Sequence, residues 1–248
     1  ATNTYTNYGK FFDDANYCCG VAYKDGYVYA AINGDQNNDG VETWMLAKID
    51  TVKDELVTMT DFGDLMPETA NMIRGANFAG DLLLLAGESD QQTIVAIDIN
   101  TMELVDLGFK GGINYGITEE VDGKVYFVVN TRGLFCMDVN TREITAVPGL
   151  NELNIGARCD NTSIVEVDNP LYPGINIVTY SASTGIPRIY NVEKGIVKSY
   201  NDVFDADELG VPTDIRCFTS LGEGTNEFMI GAYNTDKCVI YNTETGEM

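Results

Sequence analysis

The sequence predicts an all-β fold made of repeated four-stranded antiparallel sheets. Three observations predict it. A strand–turn–strand pattern returns five times along the 248 residues, its copies lie about 48 residues apart on average, and no stretch sustains a helical period. The copies are marked by Asp50, Asp98, Asp138, Asn191 and Asn242, each closing a strand and opening a turn rich in Asp, Asn, Thr and Gly. Thus Ile97-Asp98-Ile99-Asn100-Thr101-Met102-Glu103-Leu104 returns as Met137-Asp138-Val139-Asn140-Thr141-Arg142-Glu143-Ile144. It returns again as Tyr241-Asn242-Thr243-Glu244-Thr245-Gly246-Glu247-Met248. A period of this length is one four-stranded blade, so the expected architecture is a five-bladed β-propeller filling residues 1–248 as a single domain.

A second hairpin precedes each marked one. Residues 20–24 turn at Asp25-Gly26 into residues 27–32, and residues 115–121 turn at Asp122-Gly123 into residues 124–129. Asp-Gly between β-branched and aromatic runs such as Val125-Tyr126-Phe127-Val128-Val129 is the composition of a two-residue hairpin turn. Residues 202–209 allow one short helical turn at most. Met248 falls where Leu104 begins the fourth strand of an earlier copy, which leaves the last sheet one strand short. Tyr5-Thr6-Asn7-Tyr8-Gly9 resembles Leu104-Val105-Asp106-Leu107-Gly108. The N-terminal strand is therefore expected to complete the last blade and close the ring, which removes two open sheet edges.

The hairpin pattern resembles that of bacterial repeat propellers of the quinoprotein-like class, over the whole chain at the level of the repeat. In size and blade number the chain is also similar to five-bladed lectins of the tachylectin type. Cofactor-binding members of the quinoprotein-like class rely on recurrent tryptophans. This chain has Trp44 alone, and no organic cofactor is expected.

Composition narrows the function classes. A net charge of −23 disfavours nucleic acid and anionic membrane, whose phosphates need Lys and Arg. Apolar runs such as residues 82–86 are far too short to span a bilayer. Histidine is absent, which removes Ser-His-Asp and Cys-His catalysis and His-ligated zinc. The six cysteines include no CxxC pair, and Cys19, Cys159 and Cys217 recur at one place in the repeat, as reduced core thiols would. The chain begins at Ala1, which reads as a mature or excised segment, a monomer or one domain of a larger protein. A secreted or cell-surface location is expected.

The loops leading into the innermost strands carry the candidate site. They are Asn16-Tyr17-Cys18-Cys19-Gly20, Asn71-Met72-Ile73-Arg74-Gly75, Asn114-Tyr115-Gly116, Asn154-Ile155-Gly156-Ala157-Arg158-Cys159 and Asp214-Ile215-Arg216-Cys217. Each opens on Asn or Asp, and three of the chain's six arginines follow within a few residues. Amides suit hydroxyls, and guanidinium forks suit a carboxylate. The ligand-binding residues expected on this reading are Asn16, Asn71, Arg74, Asn114, Asn154, Arg158, Asp214 and Arg216, with a glycan or a uronic or sialic acid as ligand. The same residues also suit turn caps and bridges between sheets.

Asp35-Gln36-Asn37-Asn38-Asp39-Gly40 sets three oxygen side chains at alternate positions before a glycine, the first half of a calcium loop. Calcium is expected on Asp35, Asn37 and Asp39, although Leu46 occupies the twelfth position, where a bidentate acid would complete an EF-hand. A solvated hairpin turn has the same composition. Two further functions are weighed against non-catalytic binding. One is a carboxylate-dependent glycoside hydrolase or polysaccharide lyase using acids such as Asp13, Asp14, Glu119, Glu120 or Asp160, among which no spacing selects a pair. The other is a protein-interaction scaffold.

Overall fold

In a computed structural model the described residues are 15–34, 43–61, 73–87, 94–112, 114–129, 132–148, 163–166, 174–181, 186–199, 215–221, 227–232, 238–242, 245 and 247. Among them every regular element is a strand. The first sheet holds β1 (Ala15–Lys24), β2 (Tyr27–Gly34), β3 (Thr43–Asp50) and β4 (Glu55–Asp61). The second holds β5 (Ile73–Ala79), β6 (Leu82–Gly87), β7 (Ile94–Asp98) and β8 (Glu103–Val105). The third is built of β9 (Asn114–Ile117), β10 (Lys124–Val129), β11 (Gly133–Asp138) and β12 (Ile144–Ala146). The fourth comprises β13 (Ser163–Glu166), β14 (Ile175–Ser181), β15 (Ile186–Asn191) and β16 (Ile196–Ser199). The fifth comprises β17 (Ile215–Ser220), β18 (Glu227–Ala232) and β19 (Cys238–Asn242). Each sheet is an antiparallel meander in chain order. No described helix is long and apolar enough to cross a membrane.

The repeat marker acts as a turn cap. The Asp138 Oδ1 accepts from Asn140 N–H at 2.9 Å and Thr141 N–H at 2.8 Å, and Asp98 and Asp50 do the same two and three residues on. Asn191 and Asn242 each accept one such bond, from Lys194 and Thr245. Four residues after the marker the chain passes through the left-handed region, at Asp54, Met102, Arg142 and Gly195, with φ of 60°, 58°, 61° and 61°. That residue then donates back to the marker's carbonyl, as Met102 does to Asp98 and Arg142 to Asp138. The Asp-Gly pairs take positive φ at both residues, 51° and 85° at Asp25-Gly26 and 49° and 70° at Asp122-Gly123, as a type I′ turn requires.

Continuous apolar runs arise because the sheets are covered on both faces. Leu83 and Leu85 of β6 pack with Ala22, Tyr29, Ala31 and Leu46 of the first sheet. Leu82, Leu84 and Ala86 point the other way, against Ile117, Val125, Phe127 and Val129 of the third. Tyr126 and Val128 of β10 in turn meet Ile177 of the fourth. The period-2 alternation of a strand thus sends neighbouring residues into different cores, and six consecutive residues of β6 are buried. First strands of successive sheets lie side by side, β1 against β5, β5 against β9 and β13 against β17. Gly20 permits the approach of β1 to β5, because a Cβ there would sit 2.8 Å from Ile73 Cγ2.

One expected strand is shorter than its sequence. The run over residues 115–121 stays in strand only to Ile117, because the Thr118 hydroxyl takes the Tyr126 N–H that a ladder carbonyl would otherwise accept. Val121 makes an isolated bridge to Lys124 that closes the Asp-Gly turn.

Candidate functional site

Every described first strand except β13 is bulged near its start. In β5 the register passes from Ile73↔Gly87 to Gly75↔Ala86, which leaves Arg74 as the extra residue. In β17 it passes from Ile215↔Ala232 to Cys217↔Gly231, which leaves Arg216 extra. In β1 it passes from Cys18↔Ile32 to Gly20↔Ala31, leaving Cys19, with a further shift at Asn16. In β9 the residues Tyr115 and Gly116 lie between the Asn114↔Val129 and Ile117↔Phe127 pairs. A bulge bends its strand and re-aims the extra residue, so the backbone sets Cys19, Arg74 and Arg216 at one equivalent position. The residue that follows is Gly20, Gly75 or Cys217, small where neighbouring first strands crowd together.

Asn114 occupies the position of Cys18 and Ile73, one residue before the bulge, whereas Asn16 lies two residues ahead of Cys18, so these two leading amides do not share a register. Asn114 is buried, its Oδ1 accepts from Gly116 N–H at 3.1 Å, and it clamps the bulge of its own strand. Its Nδ2 is enclosed without a hydrogen-bond acceptor among the described residues. Asn71, Asn154, Arg158 and Asp214, and the calcium candidates Asp35, Asn37 and Asp39, lie outside the described residues. The loop carrying those last three joins β2 to β3, whose ends pair at Gly34↔Thr43.

Sequence reading missed Arg132. Its guanidinium lies 5.0 Å from the Phe109 ring centroid and 4.9 Å from that of Phe135, and it donates to the carbonyls of Lys110 and Gly111. It thereby ties the segment leading into β9 to the β10–β11 turn. The sequence around Arg132 gave no sign of this, because Phe109, Lys110 and Gly111 lie far back along the chain and come to it only through the fold. Glu120 is also structural in its contact, accepting from Gly80 N–H of the second sheet at 2.9 Å. Burial raises the Cys136 thiol above its ordinary range and raises the neighbouring Tyr126 phenol, so both stay protonated near neutral pH. For Cys136 this fits a half-buried thiol that packs rather than reacts.

Among solved structures the chain is similar to the YWTD propeller of nidogen in a nidogen/laminin complex, at 13% identity over 93% of this chain and 77% of that one, with a TM-score of 0.62. It is similar to the extracellular domain of a hybrid two component system from B. thetaiotaomicron, at 15% identity over 94% of this chain and 29% of that one, TM-score 0.57. The WD40 repeats of RRP9 match at 9% identity over 77% of this chain and 52% of theirs, TM-score 0.56. No protein-family model matches the sequence, and no curated protein matches it. Together with the five meanders, these likenesses define a β-propeller-type fold. Identities this low speak to fold alone.

Proposed function

We propose that the chain is a five-bladed propeller closed by its N-terminal strand, and that it binds a glycan or acidic sugar, without catalysis, at the mouth where its first strands begin. Closure is supported by the first sheet, which buries both faces: Ala30, Ile32, Met45, Ala47 and Ile49 are covered although they face away from the second sheet. The fifth sheet has three described strands where each of the others has four, and residues 5–9 are the strand proposed to fill it.

The observation that carries the binding reading is the repeated bulge. It gives Arg74 and Arg216, two of the six arginines of an acidic chain, the same backbone position in different sheets. Two guanidinium forks brought to one rim would suit a carboxylate flanked by hydroxyls. Titration calorimetry with galacturonate, glucuronate and sialic acid tests this. Arg74→Met and Arg216→Met should each weaken binding about ten- to hundredfold, the effect of losing a charge-assisted hydrogen bond. Equal affinity for the neutral parent sugars, or unchanged affinity in both variants, would reject it. Calcium at Asp35, Asn37 and Asp39 belongs to the same reading, as does a location outside the cell.

A further inference from the structure

We propose that the outer strand of the first sheet, β4, is an acceptor for an added strand, and that its occupant is an extended segment of a partner protein with basic residues at both ends. This goes beyond the sugar reading and does not depend on it.

The outer strands of the second and third sheets, β8 and β12, are three residues long, and shortness is one way an edge is kept from recruiting another chain. The strand β4 is seven residues long, Glu55-Leu56-Val57-Thr58-Met59-Thr60-Asp61, with no Pro and no Lys inside it. Among the described residues it pairs with β3 alone. The register passes from Ile49↔Leu56 to Lys48↔Thr58, so Val57 is bulged and presented together with its neighbour. Leu56 is 43% exposed and Val57 48%, and Val52 in the preceding turn is 87% exposed. From Thr58 to Asp61 the ladder to β3 is regular, which leaves a straight edge beyond the apolar pair.

Charge selects the occupant. Acids close the strand at both ends, Glu55 and Asp61, while Lys53 is already shared between Asp50 at 3.3 Å and Glu55 at 3.7 Å, and Lys48, across from Thr58, lies over the rings of Tyr27 and Tyr29 at 4.3 and 5.4 Å. A second copy pairing antiparallel would set its Glu55 against Asp61, and each copy carries a net charge of −23. A strand with Lys or Arg at its first and seventh positions meets an acid at each end in either direction.

The probes are the peptide Lys-Val-Thr-Val-Thr-Val-Lys and its twin with Glu at both ends. Binding to the intact chain is followed by fluorescence anisotropy, and the Leu56→Lys/Val57→Lys double variant serves as the blocked edge. Both substituted side chains are exposed, so an unchanged melting temperature is expected and shows that the variant folds. The basic peptide should bind saturably, lose affinity as NaCl rises from about 0.05 to 0.5 M, and bind the variant at least about tenfold more weakly. Arg74→Met should leave its affinity untouched. Equal binding of the acidic twin, undiminished binding to the folded double variant, no saturable binding, or a chain that dimerises through β4 would each overturn the proposal.

Discussion

Gly20→Ala adds one methyl group where the first strands of the first two sheets meet. Two effects of opposite sign compete. Removing a glycine lowers the entropy of the unfolded chain and stabilises by about 0.4–1 kcal/mol where the backbone accepts alanine. Here, however, the new Cβ would lie 2.8 Å from Ile73 Cγ2 and 3.3 Å from Ala76 Cβ. Ile73 is fully buried, with its branch methyl fixed by the core around it, so the strands rather than a flexible tip must give way. Overpacking of this kind costs about 1–3 kcal/mol and exceeds the entropic gain. Net of that gain the loss is up to about 2.6 kcal/mol, so for a chain of this size the melting temperature should fall by up to roughly 10 °C, with the denaturant midpoint lowered and the slope unchanged. Ile73→Leu, which moves the branch off Cβ, should recover part of the loss in the double variant. An unchanged or raised melting temperature in Gly20→Ala would refute the close approach of β1 and β5.

Further tests address the turns and the loop clamp. The Asp138 carboxyl is held below the usual carboxylate range chiefly by the Thr141 backbone N–H, against a smaller opposing effect of burial, with the Thr141 hydroxyl and Asn140 N–H adding to it. A folded value below the unfolded one means that the unfolded chain binds more protons, so this stabilisation is complete above about pH 4 and lost as pH falls through the folded value. Asp138→Asn keeps the Oδ1 acceptor used at Asn191 and Asn242, and should flatten the acid limb of urea midpoints measured from roughly pH 2 to 5. Arg142, exposed at φ 61°, should tolerate glycine with a gain of up to about 1 kcal/mol, as its counterpart Gly195 suggests, whereas Arg142→Val should lower the denaturation midpoint. Arg132→Met should cost about 1–2 kcal/mol and speed hydrogen exchange over residues 109–112, with exchange in β6 unaffected. If calcium occupies the β2–β3 loop, adding it should raise the melting temperature, and Asp39→Asn should abolish that shift.

Much of the fold was legible because the repeat is written in turn chemistry. An Asp or Asn that must cap two backbone N–H groups, followed four residues later by a left-handed position, leaves a pattern that survives when the strands themselves diverge. The same sequence hid which neighbour each strand faces. Leu82 to Leu85 are alike in type, and only strand geometry assigns alternate ones to the first and third sheets. Of the strand entries, the sequence showed a recurring position but not its register. Arg74 and Arg216 take equivalent bulged backbone positions, while Asn16 and Asn114 do not match, because the bulges that set these places depend on hydrogen bonding across the sheet. Arg132 was invisible, since its ring partners Phe109 and Phe135 flank it only after folding.

Whether five sheets form a ring is best measured as a distance between the first and the last. Spin labels at Tyr23 and Ile240, both exposed, report it in a background with the native cysteines replaced. Sheets pack about 10 Å apart, so neighbouring first and fifth sheets should place the labels roughly 15–25 Å from each other. A linear stack would separate them by about 40 Å. The shorter distance, lengthening when residues 1–14 are deleted, is the expected result. A distance near 40 Å in the intact chain would contradict the ring and with it the shared mouth at which Arg74 and Arg216 are proposed to act.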